Sequence, residues 1–244
     1  MPERFSASVA SRHLSCHASA NLDLAIPGWT PPDNDGDTKA SIKGSNIHKI
    51  LEDAAAYTPR EMQGIAEAMA YVAALRQKRR FTILTEAASE GWWFTVPQKP
   101  KTRADVVLYV QDELHIVDYK FGKIPVEVHS NTQGMYYALA FLPLAPKAKG
   151  VYFHVVQPFA SNIDSTFFTT VELEQFRIDC LAAEQQIQAG STMFQPSDAC
   201  QFCPANPHSR GAKGSPKCPA MMQILYPVKP LDEDAIFDEL TTGG

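Results

Sequence analysis

Apolar positions divide the chain into a helical first third and a strand-rich middle. Ile47, Ile50, Leu51 and Ala54 recur at helical spacing behind Gly44 and Ser45, which predicts a helix over Ser45–Tyr57 with Ser45 as its N-cap. Thr58 and Pro59 then open a second helix that runs to about Arg79. Before these, Phe5 to Leu22 reads as a short helix carrying Cys16, and Pro27 to Lys39 as a loop. Phe81–Ala88 and Trp92–Val96 read as strands. Ala104–Gln111 and His115–Lys120 form the clearest hairpin, turning at Asp112-Glu113. Thr132–Leu142 reads as a helix, Gly150–Gln157 and Phe167–Val171 as strands, and Val171–Ala189 as a helix ended by Gly190. Beyond Ser191 the pattern is irregular. Helices first, then strands, then helix, strand and helix predict an α/β core with a mixed sheet.

Size and composition narrow the class. A chain of 244 residues suits one sizeable core with a small appendage. The reading is a single domain over 1–230, with its core at about 40–190, followed by an acidic tail at 231–244. The longest apolar runs fall far short of a membrane span, and no secretory h-region opens the chain, so a cytoplasmic protein without membrane contact is expected. The net charge of −5 speaks against a uniformly basic surface. It still leaves local basic clusters at Arg76–Arg80 and Lys99–Arg103.

The hairpin concentrates chemistry. Asp118 and Lys120 are two residues apart on one strand and therefore share a face. Folding at Asp112-Glu113 returns Asp105 towards Asp118. Two carboxylates and an ammonium at one sheet edge suit phosphodiester hydrolysis. Carboxylates hold Mg²⁺ or Mn²⁺, and the lysine stabilises charge in the transition state. A strand-end ion pair between Asp118 and Lys120 would leave the same trace. Two helical pairs at i and i+4 add to the pattern: His48 with Glu52, and Gln133 with Tyr137.

In chain order these are Gly44-Ser45-x-x-His48-x-x-Leu51-Glu52, Asp105 before a strand, Asp118-Tyr119-Lys120, and Gln133-x-x-x-Tyr137. The series resembles the RecB-like branch of the PD-(D/E)XK nucleases. The resemblance implies a restriction-endonuclease-like core in which a central mixed sheet is flanked by helices. It implies His48, Asp105, Asp118 and the Tyr119 carbonyl as metal ligands, Lys120 as the catalytic lysine, and Gln133 and Tyr137 beside the substrate. Glu86 and Glu52 are further acidic candidates. Ala104 stands where a proline or glycine is common in that family.

Cys200-Gln201-Phe202-Cys203 and Cys218-Pro219 gather three thiols in a loop-rich stretch, with Cys16 as the candidate fourth. Four thiolates suit Zn²⁺ and iron–sulfur clusters alike, and spacing does not choose between them. One N-terminal and three C-terminal cysteines around a nuclease core resemble the AddB-type arrangement. That implies a [4Fe-4S] cluster joining the Cys16 region to 198–222. Cys180, mid-helix, reads as a packed apolar residue. The expected activity is a DNA exonuclease acting on single strands or ends in a phage or mobile-element setting. With no P-loop present, a helicase or a single-strand annealing or binding protein is expected as partner. The competing readings are a catalytically inactive DNA-binding module and a zinc-stapled endonuclease or interaction protein. Arg76, Arg79, Lys99, Lys101 and Arg103 are candidate phosphate contacts. Trp92, Trp93 and Tyr136 are stacking candidates, of which at least two are expected in the core.

Overall fold

The computed structural model describes residues 5–31, 59–207 and 217–225. Its centre is a five-stranded mixed sheet in the order β1-β2-β3-β4-β5. The strands are β1 (Thr82–Glu90), β2 (Lys101–Val110), β3 (Glu113–Tyr119), β4 (Gly150–Gln157) and β5 (Asn162–Thr169). All neighbours are antiparallel except β3 and β4. A parallel pair needs a crossover. It is supplied by residues 120–149, which include a helix over Thr132–Phe141.

Six helices accompany the sheet among the described residues: α1 (Ala10–Ser15), α2 (Leu22–Ala25), α3 (Pro59–Lys78), α4 (Thr132–Phe141), α5 (Thr170–Gln188) and α6 (Pro219–Leu225). One face of the sheet packs Val106, Leu108, Val117, Tyr119 and Val156 against Ala68, Val72 and Leu75 of α3. The other packs Val107, Leu114, Ile116, Phe153 and Val155 against α4 and α5. The helices lie on both faces, as the resemblance implies. No described helix is long and apolar enough to cross a membrane.

Close approach fixes α4 on the sheet. A Cβ at Gly134 would stand 2.6 Å from the Phe153 ring. Asn131 caps the helix by accepting from Gly134 N at 2.8 Å. At α5, Thr169 and Glu172 form a capping box, and Gly190 leaves the helix at φ 75°.

Three expected elements take another form. The helix over Phe5–Leu22 breaks at Cys16, whose φ of −147° and ψ of 98° are extended. The break turns Cys16 towards the C-terminal cysteines. Trp92–Val96 is not a strand, because its N–H groups are engaged elsewhere. Trp92 N donates to Glu90 O and Phe94 N to Gly91 O. Thr95 N and Val96 N both donate to the buried Glu184 carboxylate. β5 begins at Asn162 rather than Phe167. Its polar first half is an exposed edge held by backbone pairing to β4, so no apolar alternation marks it. The irregular stretch after Ser191 also holds a 3₁₀ turn over Asp198–Phe202 and α6. The expected helix over 45–57, with Ser45, His48 and Glu52, and the acidic tail at 231–244 lie outside the described residues.

Candidate functional site

The β2–β3 ladder ends at the pair Val106–Val117. Beyond it the strands fork, and the chemistry gathers in the fork. Asp105 Oδ2 accepts a hydrogen bond from Tyr119 N at 2.6 Å, which ties the strands together and sets the 119 peptide beside both carboxylates. Side-chain alternation also slips here. Ala104 and Val107 face the α4 side, whereas Val106 and Leu108 face α3. On β1, Ile83 lies on the α3 side and Ala87 on the α4 side. Between them Glu86 adopts φ 46°, a left-handed conformation that costs a non-glycine residue on the order of 1 kcal/mol. The slip aims Glu86 and Asp105 at the fork rather than into either core.

Asp118 is buried at 4% exposure. Lys120 Nζ lies 2.8 Å from its Oδ2 and donates to Gln133 Oε1 at 3.2 Å. Gln133 Nε2 in turn donates to the Tyr137 hydroxyl at 2.8 Å. Residues one helical turn apart on α4 thus hold the lysine head against Asp118. Tyr137 is buried, and its hydroxyl pKa is raised by that burial and then by Asp118, Asp105 and Glu86. Burial, then the neighbouring Asp118 charge, pushes the Asp105 carboxyl up to about 7. The Tyr119 N–H and Lys120 pull it down, and Glu86 adds to the rise.

The structure therefore brings together Asp105, Asp118, Lys120, Gln133, Tyr137 and Glu86, with the Tyr119 backbone among them. A surface ion pair between Asp118 and Lys120 does not describe this arrangement, because Asp118 is buried and a third and a fourth side chain fix the lysine. These residues fit a divalent cation. Asp118 Oδ2 is buried with the Lys120 ammonium beside it. Burial raises the Asp105 pKa, and Asp118 and Glu86 on the neighbouring strands are close enough to add to the rise, so the three carboxylates form a set of hard oxygens. Arg103 sits 3.7 Å from the half-buried Glu86.

Two groups of candidates land elsewhere. Arg79 is at the far end of the hairpin, paired with Asp112 at 2.7 Å and Glu113 at 2.8 Å, so it is no phosphate contact at the fork. Trp93 and Tyr136 are core residues, at 5% and 0% exposure, as expected for two of the three aromatics. Trp92 is exposed but donates its indole N–H to Leu139 O.

Sequence reasoning missed Gln157, a buried amide at the end of β4. Its Oε1 accepts from Val126 N, and its Nε2 donates to Gly122 O and Ile124 O. Three of its four amide contacts shape the loop between Lys120 and α4, and in the fourth its Oε1 accepts from Asn162 Nδ2 of β5. A second grouping that the sequence did not suggest is Glu127, His129 and Asp164, whose ligand atoms lie within 4.8 Å of one another. All three are exposed, and the Glu127 carboxylate already accepts from Val128 N and His129 N.

Cys16, Cys200, Cys203 and Cys218 line one small cavity with Phe194, Asn206 and Met221. Gln195 N donates to Cys16 Sγ at 3.4 Å and Ser197 N to Cys200 Sγ at 3.3 Å. The five cysteines form no disulfide. Cys180 is fully buried in the main core, and burial pushes its thiol up to about 12.

Fold and site together define an α/β protein with a carboxylate–lysine centre at a strand fork. Residues 94–233 match the family described as DUF2800, proteins of unknown function, and the chain belongs to that family. The match takes in β2 to α6 but leaves out Cys16, His48 and Glu86. No curated protein matches the chain. Solved structures with some likeness include SSO0001 (TM-score 0.42, 13% identity, 87% of this chain and 85% of that one). A candidate exonuclease from Eubacterium rectale gives 0.41 and 13% over 93% and 99%. An alkaline exonuclease from Laribacter hongkongensis gives 0.28 and 12% over 74% and 93%. Likeness of this degree assigns no residue a role.

Proposed function

We propose that the protein is a divalent-metal-dependent deoxyribonuclease that shortens DNA from its ends, with single strands as the favoured form. The observation that carries this reading is the fork itself, where Asp105 and Asp118 flank a lysine locked by Gln133 and Tyr137. Asp105, Asp118, the Tyr119 carbonyl and His48 would hold Mg²⁺ or Mn²⁺, with Glu86 as a further ligand. The bound ion would polarise a phosphoryl oxygen and acidify a water. Lys120 is held by its neighbours to donate towards the oxygen that gains charge as the phosphodiester opens. Gln133 and Tyr137 act through Lys120 and are positioning residues.

Asp118→Ala and Lys120→Ala should each lower cleavage by at least a hundredfold with Mn²⁺ and leave the melting profile cooperative. End-labelled single strands followed on sequencing gels provide the measurement. Activity near wild type in both variants would sink the assignment. A covalently closed single-stranded circle should resist the enzyme. Rapid cutting of the circle would make it an endonuclease.

The raised Asp105 carboxyl adds a pH dependence. Below about 7 it holds a proton that competes with the cation. Mn²⁺ affinity should therefore fall by up to roughly tenfold per pH unit below 7. Titration calorimetry between pH 6 and 8 checks this, and Asp105→Asn should flatten the dependence along with weakening the site.

The four-cysteine cavity is proposed to hold a [4Fe-4S] cluster. The support is the layout, in which Cys16 from the N-terminal part and three C-terminal cysteines line the same cavity. Anaerobic protein should be brown, with iron and sulfide in equal amounts. A colourless protein carrying stoichiometric zinc would replace the cluster and leave the nuclease reading intact. Strand separation would fall to a partner helicase or a single-strand annealing protein in the cytoplasm of a phage-bearing or mobile-element host.

A further inference from the structure

A cavity of about 360 Å³ opens beside the fork on the α3 face of the sheet. Met69, Val72 and Ala73 of α3 form one wall, and Ile83 and Tyr119 form the other. Asp105 and Glu86 stand in its lining, as does Arg76, which is exposed on the last turn of α3. The walls are apolar and face each other, yet Met69 remains 59% exposed, so α3 and the sheet do not close over the space between them. A hydrated ion alone gains nothing from such walls. Its volume is at the small end for ligand sites, which suits one flat group and not a stacked pair.

We propose that this cavity receives one unpaired nucleobase of the strand being cut. The inference rests on the nuclease reading and adds to it the feature that would select a single strand. An aromatic base has two apolar faces for the α3 and sheet walls and a polar edge for Arg76. Its own phosphate would then lie towards Asp105 and Glu86, where the cation is to be held. A base in a duplex is stacked and paired, so it would enter only after unpairing. Apolar contact of this kind tolerates any base, which matches a nuclease without sequence preference.

The test uses the full chain, purified anaerobically, and end-labelled single strands that carry one abasic tetrahydrofuran nucleotide at a defined position. With Mn²⁺, digestion should proceed evenly and then slow at least tenfold at the step that brings the abasic unit to the cavity. Ala73→Trp, a change at an exposed helix position that fills the space, should slow every step and remove the extra pause. An even ladder through the abasic unit in the wild-type protein would overturn the proposal. If the wild-type protein cleaves nothing, the nuclease reading fails on its own. The cavity is then judged by fluorescence anisotropy in Ca²⁺ with the same strands. An abasic end should bind at least fivefold more weakly than an intact one, and equal binding of the two would overturn it.

Discussion

His154 carries the clearest pH signature among single residues. It is 4% exposed, between β3 and α3, and one assignment of tautomers satisfies its whole chain of contacts. Tyr71 hydroxyl donates to His154 Nδ1 at 2.9 Å, His154 Nε2 to His115 Nδ1 at 2.9 Å, and His115 Nε2 to Glu113 at 2.7 Å. Burial first, then His115 and Lys78, lowers the His154 pKa to about 3. The folded state thus refuses a proton that the unfolded chain accepts below about 6.5. Stability is fully present above that value and is lost as pH falls towards 3, by about 1.4 kcal/mol per unit for the one group. Thermal melts should therefore drop more steeply between pH 6.5 and 5 in the wild type than in His154→Gln. Parallel curves would remove the assignment. None of this was legible in the sequence, because the four groups come from three distant segments and meet only when α3 lies across β3 and β4.

At the scale of elements, what the sequence disclosed depended on how local its cause was. The β2–β3 hairpin, α4, β4 and α5 follow from spacing and caps that lie within each segment. So do Asp118, Lys120, Gln133 and Tyr137, whose relations are i+2 and i+4. The fork added what spacing does not encode, namely the face slip at Asp105 and the left-handed Glu86 opposite it. Trp92–Val96 misread for a similar reason. Its run of aromatic and β-branched residues suits a strand, but the deciding partner is Glu184, about 90 residues on. Glu184→Gln should cost on the order of 2 kcal/mol, since an amide presents N–H groups to the donors of Thr95 and Val96. The expected results are a lower midpoint in urea and faster amide exchange at 95 and 96. An unchanged midpoint would mean that the aromatic packing of Trp93 and Phe94 suffices to hold the loop.

Across the whole molecule, distant parts of the chain are joined beside the sheet. Asn21 Nδ2 donates to Ile187 O at 3.0 Å and to Ser191 O at 3.2 Å. Leu22 and Ile26 pack with Ala205 and Cys218. The cysteine cavity is built across this joint, so a bound cluster would brace it. Cys218→Ser should bleach anaerobic protein and lower its melting temperature by at least 5 °C, whereas Cys180→Ser should keep the colour. A brown, equally stable Cys218→Ser protein would place the cluster ligands elsewhere. The same joint bears on how the protein is made. Cys16 leaves the ribosome some two hundred residues before Cys218, and synthesis at roughly 5–20 residues per second makes that wait about 10 to 40 seconds. During that interval the sheet and α5 can form, but Leu22, Ile26 and the first thiol have no C-terminal partner to cover them. The newborn chain therefore passes through a stage in which the carboxylate–lysine fork is assembled while the Cys16 side is still open to oxidants.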